Sequence, residues 1–285
     1  MPNSITLPVQ YLQALDLIYK AGALTSILDN TDAQVVGKEF KIKKVSTQGP
    51  ANMTRGAAFT GGDVTVGWQS VTPDYDRGRK FTIDALDELE LGGLYMDVAA
   101  EYTRVHSIPE IDAYRFAKIA STSSILKISA GATIADAAAF ILAVNAAMGE
   151  MDTNEVPMEG RLLYAEASLL RAVQALDTTK SRETLAQFAR VIPVPQARFY
   201  TAITFYDGTT GGQEAGGFIK NGSTGKDINF LIVHPTAMEQ AIKRTVTPVD
   251  APDADIDSYR VSNRTYGYCA VKDNKVKGIY LHHKA

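Results

Sequence analysis

An α+β fold is predicted by three features of the 285-residue chain. Two alternating apolar runs form a hairpin in its first quarter, a long acidic helical system follows at residues 76–120, and short strands alternate with helices from residue 130 onward. Strands interleaved with helices in this way read as an α/β or α+β module covered on its faces. With 45% hydrophobic and 21% charged residues, the chain can bury a substantial core in one large or two modest domains.

Residues 9–28 carry Leu12, Leu15, Ile18 and Tyr19 at helical spacing until Gly22 interrupts the pattern, which predicts a short helix on an otherwise extended arm. Phe40, Ile42 and Val45 then alternate against Lys41 and Lys43, and Val64, Val66 and Trp68 repeat the alternation, so two strands are expected. Between them, Thr47 to Gly62 holds Gly49, Pro50, Gly56, Gly61 and Gly62 and no apolar period. A two-stranded hairpin with so long a tip buries too little surface to stand alone, so it must lie against something else, and a neighbouring subunit is the natural candidate.

Leu94, Val98, Tyr102 and Val105 recur at helical spacing opposite Asp97, Glu101 and Arg104, which predicts an amphipathic helix. A break is expected near Ser107, because Ser107-Ile108-Pro109-Glu110 has capping-box spacing with proline in the first turn. The next helix places Ala113, Phe116, Ala117 and Ala120 on one face and Glu110, Asp112, Arg115 and Lys118 on others. Further on, Thr133 is expected to cap a helix through Met148 with Gly149 as its C-terminal stop. A strand at Leu162–Ala165 leads into a helix over Ser168–Leu176, a strand pair is expected at Val191–Val194 and Phe199–Phe205, and a buried strand at Ile228–Val233 precedes a helix from Thr236 to Arg244. Arg264–Val271 and Val276–His282 around Lys272-Asp273-Asn274-Lys275 give a hairpin signal.

Composition removes several function classes. A net charge of −3 argues against wrapping nucleic acid with a dominant basic surface. One cysteine, Cys269, excludes an intrachain disulfide and a cysteine-based zinc cluster and fits a reducing compartment. The first 22 residues lack the pattern of a signal peptide, and no apolar run reaches the length of a membrane span, so no membrane partner is expected.

Catalytic settings are poor. His106 lies at a helix break, His234 ends an apolar strand, and His282 and His283 point to opposite faces of theirs, while Cys269 reads as a small buried hydrophobe. Gly225-Lys226 is followed by Asp227 and fails the phosphate-loop pattern, and Gly208–Gly217 lacks the strand-to-helix context of a dinucleotide site. No catalytic, cofactor or metal site is assigned. The carboxylates Asp84, Asp87, Glu88 and Glu90 read better as a solvated or intersubunit face than as a metal or acid-base site. Residues 38–55 carry Lys38, Lys41, Lys43, Lys44 and Arg55 against Glu39, a net of +4, and residues 84–110 carry a net of −6. A basic hairpin from one copy and an acidic helical system from the next are complementary, and such charges set register and partner choice.

D-R-G-R-K-F-T-I-D at 76–84, D-E-L-E at 87–90 and I-P-E-I-D-A-Y-R-F-A-K-I-A at 108–120 together resemble the spine-helix region of tailed-bacteriophage major capsid proteins with the Hong-Kong-97-type shell fold. Ile192-Pro193-Val194-Pro195 with Arg198-Phe199, then Ile228 to Pro235, then Arg264-Thr265-Tyr266 with Lys277-Gly278-Ile279-Tyr280 extend the resemblance over most of the chain. These are patterns of packing residues, and their specificity lies in order and spacing. The resemblance implies an N-terminal arm over 1–36, an extended hairpin loop over 37–80, a peripheral domain with the spine helix from 81–129 and 244–285, and an axial domain over 130–243. It implies a non-enzymatic protein that assembles with itself into the pentamers and hexamers of an icosahedral head around double-stranded DNA held without sequence-specific contacts. Scaffolding, portal and decoration proteins would be further partners, and assembly would take place in the host bacterial cytoplasm. Without a long N-terminal coiled segment, the chain would use a separate scaffold or none. An encapsulin-like compartment shell would share the fold, and a soluble α/β enzyme or ligand-binding protein using residues 130–243 is the alternative from another class.

Overall fold

A computed structural model describes residues 22–30, 33–36, 39–56, 58–128, 130–176, 178–246, 249–253 and 257–285. Most of the expected N-terminal helix, and Lys38 of the basic group, lie outside the described residues. In chain order, a 3-10 turn at Ser26–Leu28 precedes β1 (Gln34–Val36), β2 (Glu39–Thr47), β3 (Val64–Val71) and β4 (Tyr75–Asp84). Helices α1 (Ala85–Leu91), α2 (Leu94–Tyr102) and α3 (Ile108–Ser121) follow. Next come β5 (Leu126–Lys127), α4 (Ala137–Thr153), β6 (Leu162–Glu166), α5 (Ala167–Leu176), α6 (Thr179–Ala186) and β7 (Arg190–Val194). The chain continues through β8 (Ile203–Phe205), β9 (Phe218–Lys220), β10 (Ile228–Val233), β11 (Met238–Val246) and β12 (Val249–Asp253) to β13 (Ser258–Val271) and β14 (Ile279–His283).

Two sheets organise the body. The first has the order β5-β14-β10-β6-β7 and is covered on both faces. One face meets Ile111, Phe116 and Ile119 of α3 through Leu162, Tyr164, Leu231 and Leu281. The other meets Phe140, Val144 and Met151 of α4 through Leu163, Phe230, Ile232 and Tyr280. Double coverage explains why all six residues of β10 are buried, and each large apolar side chain so buried contributes roughly 2 kcal/mol. In the second sheet β13 is the axis. Strand β4 pairs with it along one edge from Asp84↔Ser258 to Tyr75↔Gly267, and β12 and β11 share the other edge. At Gly78 a Cβ would come within 2.5 Å of the Asn263 carbonyl oxygen, so only glycine permits this close pairing. Helix α2 seals the outer part of the sheet, with Leu94, Tyr95, Val98 and Ala99 against Ile83 and Val261.

Several expectations are corrected. No helix break occurs at Ser107: α2 runs through a π-helical turn, Thr103–Ser107, into α3, and Ser107 has helical φ/ψ without a side-chain cap. Pro109 cannot donate to the residue four before it and its ring crowds that carbonyl, and a wide turn relieves both. The α4 cap is Asp136, which accepts from the Ala139 N–H at 2.8 Å, rather than Thr133. Gly149 lies inside α4, because ending there would leave Met151, which is fully buried, unpacked. The expected helix from Thr236 to Arg244 is a 3-10 turn followed by β11. Val191–Val194 pairs with β6, and Phe199–Phe205 contributes β8, which pairs with β9, so the two do not form a pair with each other. The expected C-terminal hairpin does not form: Asp273–Gly278 is a 3-10 turn that carries the chain from β13 in one sheet to β14 in the other. β14 lies inside the sheet built mainly from residues 130–243, and β11 runs alongside β13.

Candidate assembly surfaces

The hairpin β2–β3 has two unlike faces. Its register pairs Phe40 with Val71, Ile42 with Gln69 and Lys44 with Gly67 on one face, and Lys41 with Ser70, Lys43 with Trp68 and Val45 with Val66 on the other. The first face is rooted in the subunit. Phe40 stacks on Tyr268 at 4.0 Å between centroids, Ile42 is buried, and Gln69 donates to the Val271 carbonyl at 2.9 Å and accepts from the Asp273 N–H at 3.0 Å. Lys44 forms an ion pair with Asp273. On the second face Val45, Val64, Val66 and Trp68 are exposed, Val64 at 64% and Trp68 at 46%. This apolar stripe, with Lys41 and Lys43 at its base, turns away from its own subunit. The tip beyond Thr47 also exposes Met53 and Phe59, the latter at 88%.

The acidic group divides by role. Asp84 caps α1 by accepting from the Leu86 N–H at 2.8 Å, and Glu88 accepts from the N–H groups of Gly93 and Tyr95 at 2.8 and 3.0 Å, closing the start of α2. Gly92 and Gly93, at φ 58° and 104°, make the turn that brings Glu88 to those donors. Asp87 and Glu90 are exposed beside Leu86 and Leu89, which is 79% exposed. An open groove of about 420 Å³ on α2 is lined by Phe81, Asp97, Val98, Glu101, Tyr102 and Val105. Among the described residues, no hydrogen bond or ion pair joins Lys41, Lys43 or Arg55 to Asp84, Asp87, Glu88 or Glu90 within one subunit.

Charged residues that the sequence assigned to outer faces of α3 are buried and paired. Glu110 accepts from Arg77 Nε at 2.8 Å and from the Tyr75 hydroxyl at 3.1 Å. Asp112 and Arg115, at 0% and 2% exposure, hold the segment near residue 25. Arg77 and Arg79, two apart on β4 and thus on one face, also clip the glycine-rich loop: Arg77 donates to the Gly217 carbonyl at 3.2 Å and Arg79 to those of Glu214 and Ala215 at 2.8 and 2.7 Å. The only advance signal for these contacts was the clustering of charge at 76–80 and 110–118.

The histidines sit in structural settings. His106 packs beside Tyr102 with its ring tilted by 37°, at 5.8 Å between centroids. His234 bridges Thr236 Oγ1 and the Glu159 carbonyl at 2.8 and 3.1 Å, and burial lowers its pKa. His282 contacts Asn229 Nδ2 through Nδ1 at 3.0 Å, and burial, with a smaller contribution from His283, lowers its pKa to about 4. His283 Nδ1 lies 2.7 Å from the Lys284 carbonyl. The Cys269 thiol is buried and pushed up to about 12 by desolvation.

No family model matches the chain, and no curated protein matches its sequence. Solved structures do. The capsid structure of the cyanophage P-SCSP1u superposes with a TM-score of 0.60 at 15% identity, covering 90% of this chain and 86% of that one. This chain has the Hong-Kong-97-type capsid fold. The mature capsid of bacteriophage PhiM1 shares this fold at a TM-score of 0.60 and 13% identity over 87% and 82% of the two chains. A virus-like particle from Pyrococcus furiosus does so at 0.59 and 12% over 95% and 96%. The β2–β3 hairpin is termed the extended loop, after the element that the sequence resemblance implied for residues 37–80.

Proposed function

We propose that this chain is the major capsid protein of a tailed bacteriophage and assembles with itself, as rings of five and six, into the icosahedral head that encloses double-stranded DNA. The observation that carries the reading is the extended loop: a rooted ribbon whose apolar face is turned outward from its own subunit, on a capsid fold. Seven residue steps from Phe40 to Thr47, at about 3.3 Å each, carry the paired part roughly 23 Å from its root, and the tip extends further. An exposed apolar stripe of this kind marks an interaction site. Its complement in the same chain is the acidic, leucine-bearing α1 with the Asp97–Glu101 groove, so one surface of each copy meets a different surface of the next. Such head-to-tail contacts close into rings, and many weak contacts add up across a shell.

The proposed contact pairs Lys41 and Lys43, with Arg55 nearer the tip, against Asp87 and Glu90 of the neighbour. Lys44, Asp84 and Glu88, also in the complementary set of the sequence, serve their own subunit and support the contact from behind. Among the described residues, no helix is long and apolar enough to cross a membrane. Packaged DNA would be held without sequence readout. Assembly in the host bacterial cytoplasm, with scaffolding, portal and decoration proteins as further partners, and a structural rather than catalytic role complete the proposal. Negative-stain microscopy of the purified chain tests it: uniform shells or capsomer rings are expected, and a monodisperse monomer or dimer at high concentration would overturn it. An encapsulin-like compartment shell would share the same fold. Nuclease-protected DNA in particles from the native source separates the two.

A further inference from the structure

Residues 22–30 and 33–36 bond to α3 and β11 and then pair with the root of the extended loop. Asp112 of α3 is fully buried, and its carboxylate accepts four hydrogen bonds there. These come from the Leu24 N–H at 3.1 Å, the Thr25 N–H at 3.1 Å, Thr25 Oγ1 at 2.7 Å and Arg198 Nη1 at 3.0 Å. One turn along α3, Arg115 donates to Thr25 Oγ1 at 3.0 Å and contacts Asp29 at 2.8 Å. From β11, Gln240 donates to the Thr25 carbonyl at 2.7 Å and to Asp29 at 3.1 Å, and its own carbonyl accepts from the Asn30 N–H at 3.0 Å. Beside it, Glu239 accepts from the Ala33 N–H at 3.1 Å. The next three residues, β1, pair with Glu39–Lys41, the root of the extended loop.

We propose that the Asp112–Arg115–Gln240 cluster is a latch that holds this strap and, through β1, fixes the inclination of the extended loop. The chemistry is that of a fastening with one matched key. Thr25 is fully buried, and its hydroxyl both donates to Asp112 and accepts from Arg115, which only a hydroxyl at that position does. Its N–H bonds to the Asp112 carboxylate of α3, and its carbonyl accepts from the Gln240 side chain of β11 as well as from the Leu28 N–H, so at Thr25 the strap is held to the body by side-chain bonds. Among the described residues the loop has two attachments: its root, through Phe40 and Gln69 on β13 and Lys44 on Asp273, and β1. Releasing the strap leaves the root alone, which permits tilt without unfolding either sheet. In a shell, rings of five and six present the neighbour at different angles, so the strength of the latch decides how far one sequence adapts. That second step rests on the capsid reading; the coupling of strap to loop does not.

Hydrogen exchange on the purified chain tests the coupling. Thr25→Val keeps the shape and removes both hydroxyl bonds, whereas Thr25→Ser keeps them. Expected for Thr25→Val is exchange faster by about tenfold or more in residues 22–36 and also in β2 and β3, with β6 and β10 unchanged and the serine variant close to wild type. A rise confined to the strap, a rise that spreads to β10, or an equal rise in the serine variant would overturn the latch. Asp112→Asn serves as a stronger second variant, judged by the same pattern. Shell diameters are the second readout: a broadened distribution for Thr25→Val is expected, and an unchanged one overturns the role in curvature. A wild-type chain that forms no shells refutes the capsid reading instead, while the exchange data still decide the latch.

Discussion

Lys43 stands directly opposite Trp68 in the β2–β3 ladder, and both side chains are on the face turned away from their own subunit. Much of the pair is left open to solvent, with Trp68 46% exposed, whereas Lys44, one residue on, is tied to Asp273 of the same chain.

The neighbours separate assembly from folding. Lys43→Glu and Trp68→Ala are each expected to lower shell yield by about tenfold, the effect of losing roughly 1.4 kcal/mol at a contact, with the melting temperature of the unassembled subunit within a few degrees of wild type. Lys44→Glu should instead loosen the root of the loop. Sedimentation of assembly reactions beside calorimetry of the dissociated subunit reads both, and unchanged shell yield in Trp68→Ala would remove the outward face from the contact.

Arg77 and Glu110 join β4 to α3 through a largely buried ion pair that also takes the Tyr75 hydroxyl. Breaking such a pair from one side strands the other charge and costs about 3 kcal/mol or more. Glu110→Ala is expected to destabilise the subunit by that order in denaturant titration. Replacing Arg77 and Glu110 together with apolar residues should cost less than either single change, which a double-mutant cycle measures directly.

The parts legible in the sequence were those where one physical signal dominated. Val64, Val66 and Trp68 announced a strand by alternation, and Ile228–Val233 announced one by an unbroken apolar run. Met238, Glu239 and Gln240 are buried in succession, so β11 has no alternation to read, and its Glu, Gln, Ala and Lys are good helix formers. Tertiary pairing with β13 overrides that propensity. The turn at Asp273–Gly278 looked like a hairpin because local chemistry records that a chain turns, not which sheet receives it. At the candidate contact, both the outward lysines and the acidic α1 were visible as opposite charges. That Lys44, Asp84 and Glu88 work within their own subunit was not, because ion pairing over 229 residues and capping across a glycine turn depend on the assembled backbone.

His282 gives the fold an acid limit. Asn229 donates to its Nδ1, which requires that nitrogen to be unprotonated, and burial holds the folded pKa near 4 against 6.5 in the unfolded chain. Between these values the unfolded state binds more protons, so stability rises with pH across the window and falls as pH drops through it. His234 is shifted in the same direction by burial. Unfolding free energy is expected to decline from about pH 6.5 toward pH 4, and His282→Gln should flatten that decline. An equal slope in the variant would assign the acid sensitivity to other groups.

Cys269 offers a clean reporter of opening. Its thiol is 1% exposed on β13 and pushed up to about 12 by desolvation, and the thiolate is the reactive species. In the native subunit at pH 8 both access and ionisation are withheld, so labelling with an aromatic disulfide reagent should proceed only through opening of β13. The rate is then expected to be independent of reagent concentration once reagent outpaces closing, and to rise in step with denaturant-induced unfolding. Gln240 accepts from the Cys269 thiol and also holds Thr25, so labelling further distinguishes two kinds of motion. Loosening the strap by Thr25→Val should leave the labelling rate of Cys269 near wild type, because β13 stays paired with β4 and β11. Labelling that accelerates as strongly as strap exchange would mean that the strap and β13 open as one unit.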